Sequence, residues 1–160
     1  GLGIVVEVAA GCTSACARYS DGVVRCWGNQ ENNFLGDGAT SGFTNTPSSP
    51  VLNVSAAVQT PGGGWIHGAR TDAGEVWVWG PSQHGGVGNG SILPTPVNPS
   101  AKVPGLDDTR SLAIGWEHLC VLYGPTEEAL CWGYNNSGQL GVNDLGDLGY
   151  PANVVWGAGT

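Results

Sequence analysis

Cys131-Trp132-Gly133-Tyr134-Asn135-Asn136-Ser137-Gly138-Gln139-Leu140-Gly141 is the stretch on which the reading of this chain turns. A Trp-Gly pair opens it, and an aliphatic-glycine pair closes it eight and nine residues after the tryptophan. The same frame recurs at Trp27-Gly28 with Leu35-Gly36, and at Trp79-Gly80 with Val87-Gly88. The tryptophans stand 52 and 53 residues apart, so the 160-residue chain is three copies of one supersecondary unit. A period of that length points to a propeller blade or another repeated sheet.

Working outward from each Trp-Gly, the order of events is the same. The first unit has an apolar run Ile4–Ala10 ending at Gly11, a second run Ser14–Tyr19, a turn at Ser20-Asp21-Gly22, and a third run Val23–Trp27. The second has Ala56–Gln59, an interruption at Pro61-Gly62-Gly63-Gly64, Ile66–Arg70, a turn at Asp72-Ala73-Gly74, and Glu75–Trp79. The third has Ser111–Ile114, His118–Tyr123, a turn near Pro125-Thr126, and Ala129–Trp132. A fourth short strand is expected after each Gly/Asn/Ser/Pro-rich loop, at Pro50–Val54, Pro96–Asn98 and Pro151–Val155. Short β-rich runs separated by turn signals, with no sustained helical period, predict an all-β fold. The chain is read as one propeller segment, 1–160, with four-stranded repeats at approximately 4–55, 56–110 and 111–160.

Centring the first hairpin on Asp21 sets Cys16 opposite Cys26, and the third turn sets Cys120 opposite Cys131. The same count in the middle unit sets Gly68 opposite Val78, so both cysteines are missing there together. Such co-occurrence favours two cross-strand disulfides and an oxidising compartment over four small reduced core thiols. Cys12 is left over and is read as an intermolecular or free thiol.

The run Val8-Ala9-Ala10-Gly11, the run Asp21-Gly22-Val23-Val24-Arg25-Cys26-Trp27-Gly28 and the opening stretch together resemble the regulator-of-chromosome-condensation repeat. The resemblance extends over nearly the whole chain. It implies seven-bladed β-propellers with four-stranded blades, and the cysteine-bearing version is similar to a bacterial secreted form. Three blades depart from seven, and propellers protect their sheets by closing the ring. Two apolar blade faces would therefore meet either further blades of a longer chain or copies of the chain itself. The opening Gly1-Leu2-Gly3 fits a secreted chain that has lost its leader, or a segment of something longer.

Composition narrows the function classes. Only five Lys and Arg stand against 13 Asp and Glu, giving a net charge of −8. This argues against nucleic acid, whose phosphates need cations, and against an anionic membrane surface. No run approaches the roughly 20 apolar residues that span a bilayer. Charged residues are 11% of the chain, well below the usual quarter, which suits a surface engaged with neighbours.

No Ser-His-Asp order, Gly-x-Ser-x-Gly, His-Glu-x-x-His or phosphate loop occurs, so no enzyme, cofactor or metal site is expected. His118 is read as structural and His84 as uninformative. The acidic groups at Asp107-Asp108, Glu127-Glu128 and Asp144 with Asp147 are read as solvated loops. Trp65 and Trp116 lie on loops entering the second strand, where aromatic rings can anchor a partner. Asn53, Asn89 and Asn135 match the N-glycosylation acceptor. The sequence is thus read as a non-enzymatic extracellular or cell-surface scaffold for protein–protein interaction or surface assembly. The alternative is a soluble secreted inhibitor or ligand-binding propeller acting through its loops.

Overall fold

The computed structural model describes residues 3–31, 34–47, 49–81, 83–93 and 97–157. Twelve strands form three antiparallel sheets of four, and no α-helix occurs among the described residues. The first sheet is β1 (Val5–Ala10), β2 (Ser14–Tyr19), β3 (Val24–Asn29) and β4 (Phe43–Thr44) in spatial order. The second is β5 (Ala57–Gln59), β6 (His67–Thr71), β7 (Val76–Gly80) and β8 (Val97–Lys102). The third is β9 (Thr109–Ile114), β10 (His118–Tyr123), β11 (Glu128–Gly133) and β12 (Leu148–Asn153). Each sheet is an up-and-down meander, which is the form of a propeller blade.

The Trp-Gly motif has a local cause. Gly28, Gly80 and Gly133 adopt φ of +115°, +112° and +103°, a region that side chains make costly. A Cβ at any of them would press on the carbonyl of Thr13, Trp65 or Glu117, which lies across the hairpin. In the first and third blades that same carbonyl accepts the N–H of the following residue, Asn29 or Tyr134. The glycine thus lets the third strand close against the loop entering the second.

The fourth strands differ from expectation. In the first blade the hydrogen-bonded strand is Phe43–Thr44, and Pro50 makes only an isolated bridge with Arg25. Proline has no N–H to donate, so the ladder there shrinks to that bridge and one bond from Val51 N–H to the Val24 carbonyl. In the second blade the strand runs Val97–Lys102, beyond the expected segment, whose Pro96 lies outside the described residues. In the third it starts three residues earlier than expected, at Leu148.

The core lies between sheets. One cluster joins Cys16, Val24, Cys26, Leu35 and Val51 of the first blade to Ala57, Ala69 and Trp79 of the second. The other joins Ile66, Val76, Val78, Val87 and Val103 of the second blade to Leu112, Leu119, Val121 and Trp132 of the third. Stability therefore comes chiefly from blade docked on blade, by removal of apolar surface from water.

Candidate functional site

The docking register is built twice among the described residues, between the first and second blades and between the second and third. Each blade has a forward face, toward the following blade, and a rear face, toward the preceding one. Trp79, on the rear face of the second blade, lies over Gly36 so closely that a Cβ there would come within 2.8 Å of the ring. Trp132 sits on Gly88 and Val103 in the same way, and its indole N–H donates to the Gly86 carbonyl at 3.0 Å. The equivalent knob on the first blade, Trp27, is half-buried, whereas Trp79 and Trp132 are fully buried. The equivalent socket glycine on the third blade, Gly141, is exposed, with φ of +66° and only Val154 near it.

A second contact also repeats. Arg18 Nε donates to Glu7 Oε2 at 2.8 Å, and that oxygen accepts the backbone N–H of Thr60 in the next blade at 3.1 Å. One repeat later Arg70 Nε donates to Gln59 Oε1 at 3.4 Å, and Gln59 Oε1 accepts the N–H of Leu112 at 3.0 Å. The arginines complete the bracket on the Ala57 and Thr109 carbonyls. At the third blade this register carries Ser111 and Leu122 instead, and Leu122 is exposed. On the opposite end Val8, in the register of Thr60 and Leu112, is 71% exposed while those two are 1% and 2%.

The side chains filling each junction vary in a compensated way. Ser14 of the first blade meets His67 of the second, Oγ to Nε2 at 2.7 Å, with Cys16 Sγ 3.6 Å from Nδ1. His67 is fully buried and stacks on Trp79 at 6.1 Å, and burial holds its imidazole down at about 4. At the second junction the same register holds the apolar pair Ile66 and Leu119. The Ser–His pair lacks a carboxylate and is closed to solvent, so it serves packing.

A charged cluster crosses the second junction. His84 Nδ1 lies 2.7 Å from Asp147 Oδ2, and Nε2 lies 3.2 Å from Glu117 Oε2. The Tyr134 ring covers the imidazole at a centroid distance of 4.5 Å. Burial raises the Glu117 carboxyl above its ordinary value, with His84 working against that rise. Asp147 is thus an engaged residue and His84 an inter-blade one, correcting their reading as a solvated loop and an uninformative position. No group of His, Cys, Asp or Glu suited to a metal occurs among the described residues. The Asp107 carboxylate is also engaged, accepting the Tyr123 hydroxyl at 3.0 Å, and Asp108 pairs with Arg110.

The cysteines are placed as opposed pairs. Cys16 and Cys26 are cross-strand partners with sulfurs 2.12 Å apart, and Cys120 and Cys131 have sulfurs 2.15 Å apart. Cys12 is free and exposed. The first pair is sealed between blades, whereas Cys120 on the forward face of the third blade is only partly covered. Partial reduction with alkylation should label Cys120 and Cys131 well before Cys16 and Cys26. Peptide mass spectrometry reads the order, and equal rates would mean the blade faces open freely. Complete reduction should cost about 3 kcal/mol per pair, from the short loops each closes.

Of the aromatic candidates, Trp65 is half-buried against Phe34 at 5.7 Å, whereas Trp116 is 60% exposed. Of the acceptor asparagines, Asn53 and Asn89 are exposed. Asn135 is corrected: it is fully buried, its amide donates to the Asp144 and Gly146 carbonyls, and its Oδ1 accepts the Leu140 N–H. A glycan cannot be attached to a nitrogen committed in this way inside the folded loop.

Three four-stranded meanders docked face to face through one repeated register define the chain as propeller blades. No protein-family model matches it. It is 32% identical over 145 residues to the secretion-regulating guanine nucleotide exchange factor of Bos taurus, covering 86% of this chain and 31% of that protein. It is 30% identical over 153 residues to the ultraviolet-B receptor UVR8 of Arabidopsis thaliana, covering 94% of this chain and 34% of that protein. Among solved structures it is similar to Prp20p of Saccharomyces cerevisiae, the yeast RCC1, with a TM-score of 0.78 and 25% identity. That match covers 96% of this chain and 37% of the yeast one. The chain spans about a third of the length of the curated relatives it matches. It is built of RCC1-like repeats.

Proposed function

We propose that this chain is a non-catalytic scaffold that works by docking protein against its blade faces, in an extracellular or cell-surface setting. One observation carries the reading. Within the described residues blade docks on blade twice through one register, so the blade face is a surface built to take protein. Apolar surface held in such a preformed geometry is a docking surface, for a further blade or for another protein. Protein partners also fit the family: yeast RCC1 has been crystallised with Kap60, and the work on Prp20p concerns its binding to Gsp1p and histones. The two cysteine pairs support the oxidising compartment. The acidic chain suits neither nucleic acid nor anionic lipid.

The test is retention of protein partners by immobilised chain, comparing wild type with Val8→Asp and Leu122→Asp. Both sites are exposed, so folding should survive, and loss of retention with either variant is the expected result. The alternative, a soluble secreted inhibitor or ligand-binding propeller, draws on the exposure of Trp116. It predicts the reverse: retention lost with Trp116→Ala and unaffected at both faces. Export would be checked by asking whether the four paired cysteines resist alkylation in freshly collected material.

A further inference from the structure

We infer that the loop face of the blades is a second docking surface, fitted to a basic protein segment that carries apolar side chains. The inference rests on the reading of the chain as a protein-docking scaffold, and the surface it names is separate from the blade faces.

The fold sorts side chains onto two ends. In every blade the link from first to second strand and the link from third to fourth leave one end of the sheet, and the hairpin turn between second and third leaves the other. The blades are set the same way round, since their first links are hydrogen-bonded in a row. The Cys12 N–H donates to the Gly64 carbonyl at 2.9 Å. The Gly64 and Trp65 N–H groups donate in turn to the Gly115 and Trp116 carbonyls at 3.2 and 3.0 Å. The links therefore share one face, and the hairpin turns share the other.

Charge is divided between those faces. All five Lys and Arg stand toward the hairpin end. Arg18 and Arg70 lie near the ends of β2 and β6, Arg25 and Arg110 near the starts of β3 and β9, and Lys102 closes β8 opposite Trp77. The links of the loop face contain no Lys or Arg and carry Glu31, Asp37, Glu117, Asp144 and Asp147. Glu117 and Asp147 are engaged by His84, whereas Glu31 is exposed.

The same face presents apolar side chains to water. Ile92 and Leu93, in the third-to-fourth link of the second blade, are 52% and 67% exposed. That blade has another docked on each side, and neither neighbour covers them. Trp116, also exposed, lies over Gly64 of the second blade, where a Cβ would have no room beneath the ring. Phe43 is exposed at the end of the corresponding link of the first blade. Acids alone would hold any cation loosely, and apolar contact alone would not select among partners. Together they fit a partner of opposite charge with apolar side chains of its own.

The test is binding of a labelled lysine–leucine peptide to the whole chain by fluorescence anisotropy, beside lysine–serine and glutamate–leucine peptides of equal length. The lysine–leucine peptide should bind at least about tenfold more tightly than either, and more weakly as salt rises. Ile92→Ser with Trp116→Ala should weaken its binding by about tenfold or more. Both side chains are exposed, so the fold should survive, and circular dichroism checks this. Glu31→Lys should weaken binding, whereas Glu128→Lys, the same charge change at the hairpin end, should leave it unchanged. A lysine–leucine peptide that does not bind, or binds no better than the lysine–serine peptide, overturns the inference. Equal effects of the two lysine variants overturn it as well, as does indifference to Ile92→Ser with Trp116→Ala. Peptide binding that is lost with Val8→Asp and unaffected by the loop variants removes only the loop face and leaves the docking reading standing. A chain that binds no peptide and retains no protein loses both.

Discussion

Lowering the pH from 7 to 4 is expected to remove about 3 kcal/mol of stability through His67 alone. Burial lowers its folded pKa from 6.5 to about 4, and a tenfold change in proton affinity between folded and unfolded chain is worth about 1.4 kcal/mol. The sign follows from proton counting. Between pH 6.5 and 4 the unfolded chain binds a proton at this imidazole and the folded chain does not, so stability falls as pH falls through that window. His118, also lowered by burial, acts in the same direction. Glu117 opposes them, because its raised carboxyl makes the folded state more tolerant of acid.

The double substitution Ser14→Ile with His67→Leu isolates the effect. It transplants the Ile66–Leu119 pair of the second junction into the first, at the same register and without an orphaned hydroxyl. Urea midpoints at pH 7 and pH 4 should show the variant losing about 3 kcal/mol less than wild type over the interval. Equal losses would mean that His67 takes no part in acid unfolding. A domain of this size has only about 5–15 kcal/mol to lose, so the difference is readily measured.

What the sequence reveals and what it hides divide along one physical line. Features that repeat within a blade are readable. Trp27, Trp79 and Trp132 with their glycines set the period, and the hairpin centre at Asp21 puts Cys16 opposite Cys26. Contacts between blades depend on how one sheet is set against the next, which a single repeat does not encode. The Arg18–Glu7 and Arg70–Gln59 brackets leave a partial trace, since the arginine recurs at the repeat spacing in two of the three blades, opposite an acid in one and its amide in the other. His84 with Asp147 and Glu117 occurs at one junction only, with no periodic signal to mark it. The fourth strands elude a reading that opens them at proline, because at Pro50 the missing N–H limits the ladder to a bridge. Asn135 is legible as a motif letter for glycosylation, yet its burial is decided by a loop that folds back on it from Asp144 to Asp147.

Replacing Trp132 with alanine should cost about 3–5 kcal/mol, and the same change at Trp27 should cost about 1 kcal/mol in the isolated chain. The three tryptophans share one sequence frame, so the difference measures only what their blades meet. Trp132 loses a fully buried indole, a cavity opens over Gly88 and Val103, and the Gly86 carbonyl loses its donor. Trp79 is as deeply buried, but among the described residues its indole N–H has no hydrogen-bond partner. Trp79→Phe should therefore be milder than Trp132→Phe by about 1 kcal/mol, the net worth of one such bond. Trp27 is only partly buried, so its truncation removes less buried surface. Thermal unfolding of the alanine variants as monomers establishes the ranking. A Trp27 cost equal to that of Trp132 would overturn the ranking, because it would mean that the first blade already holds its indole as firmly as the third.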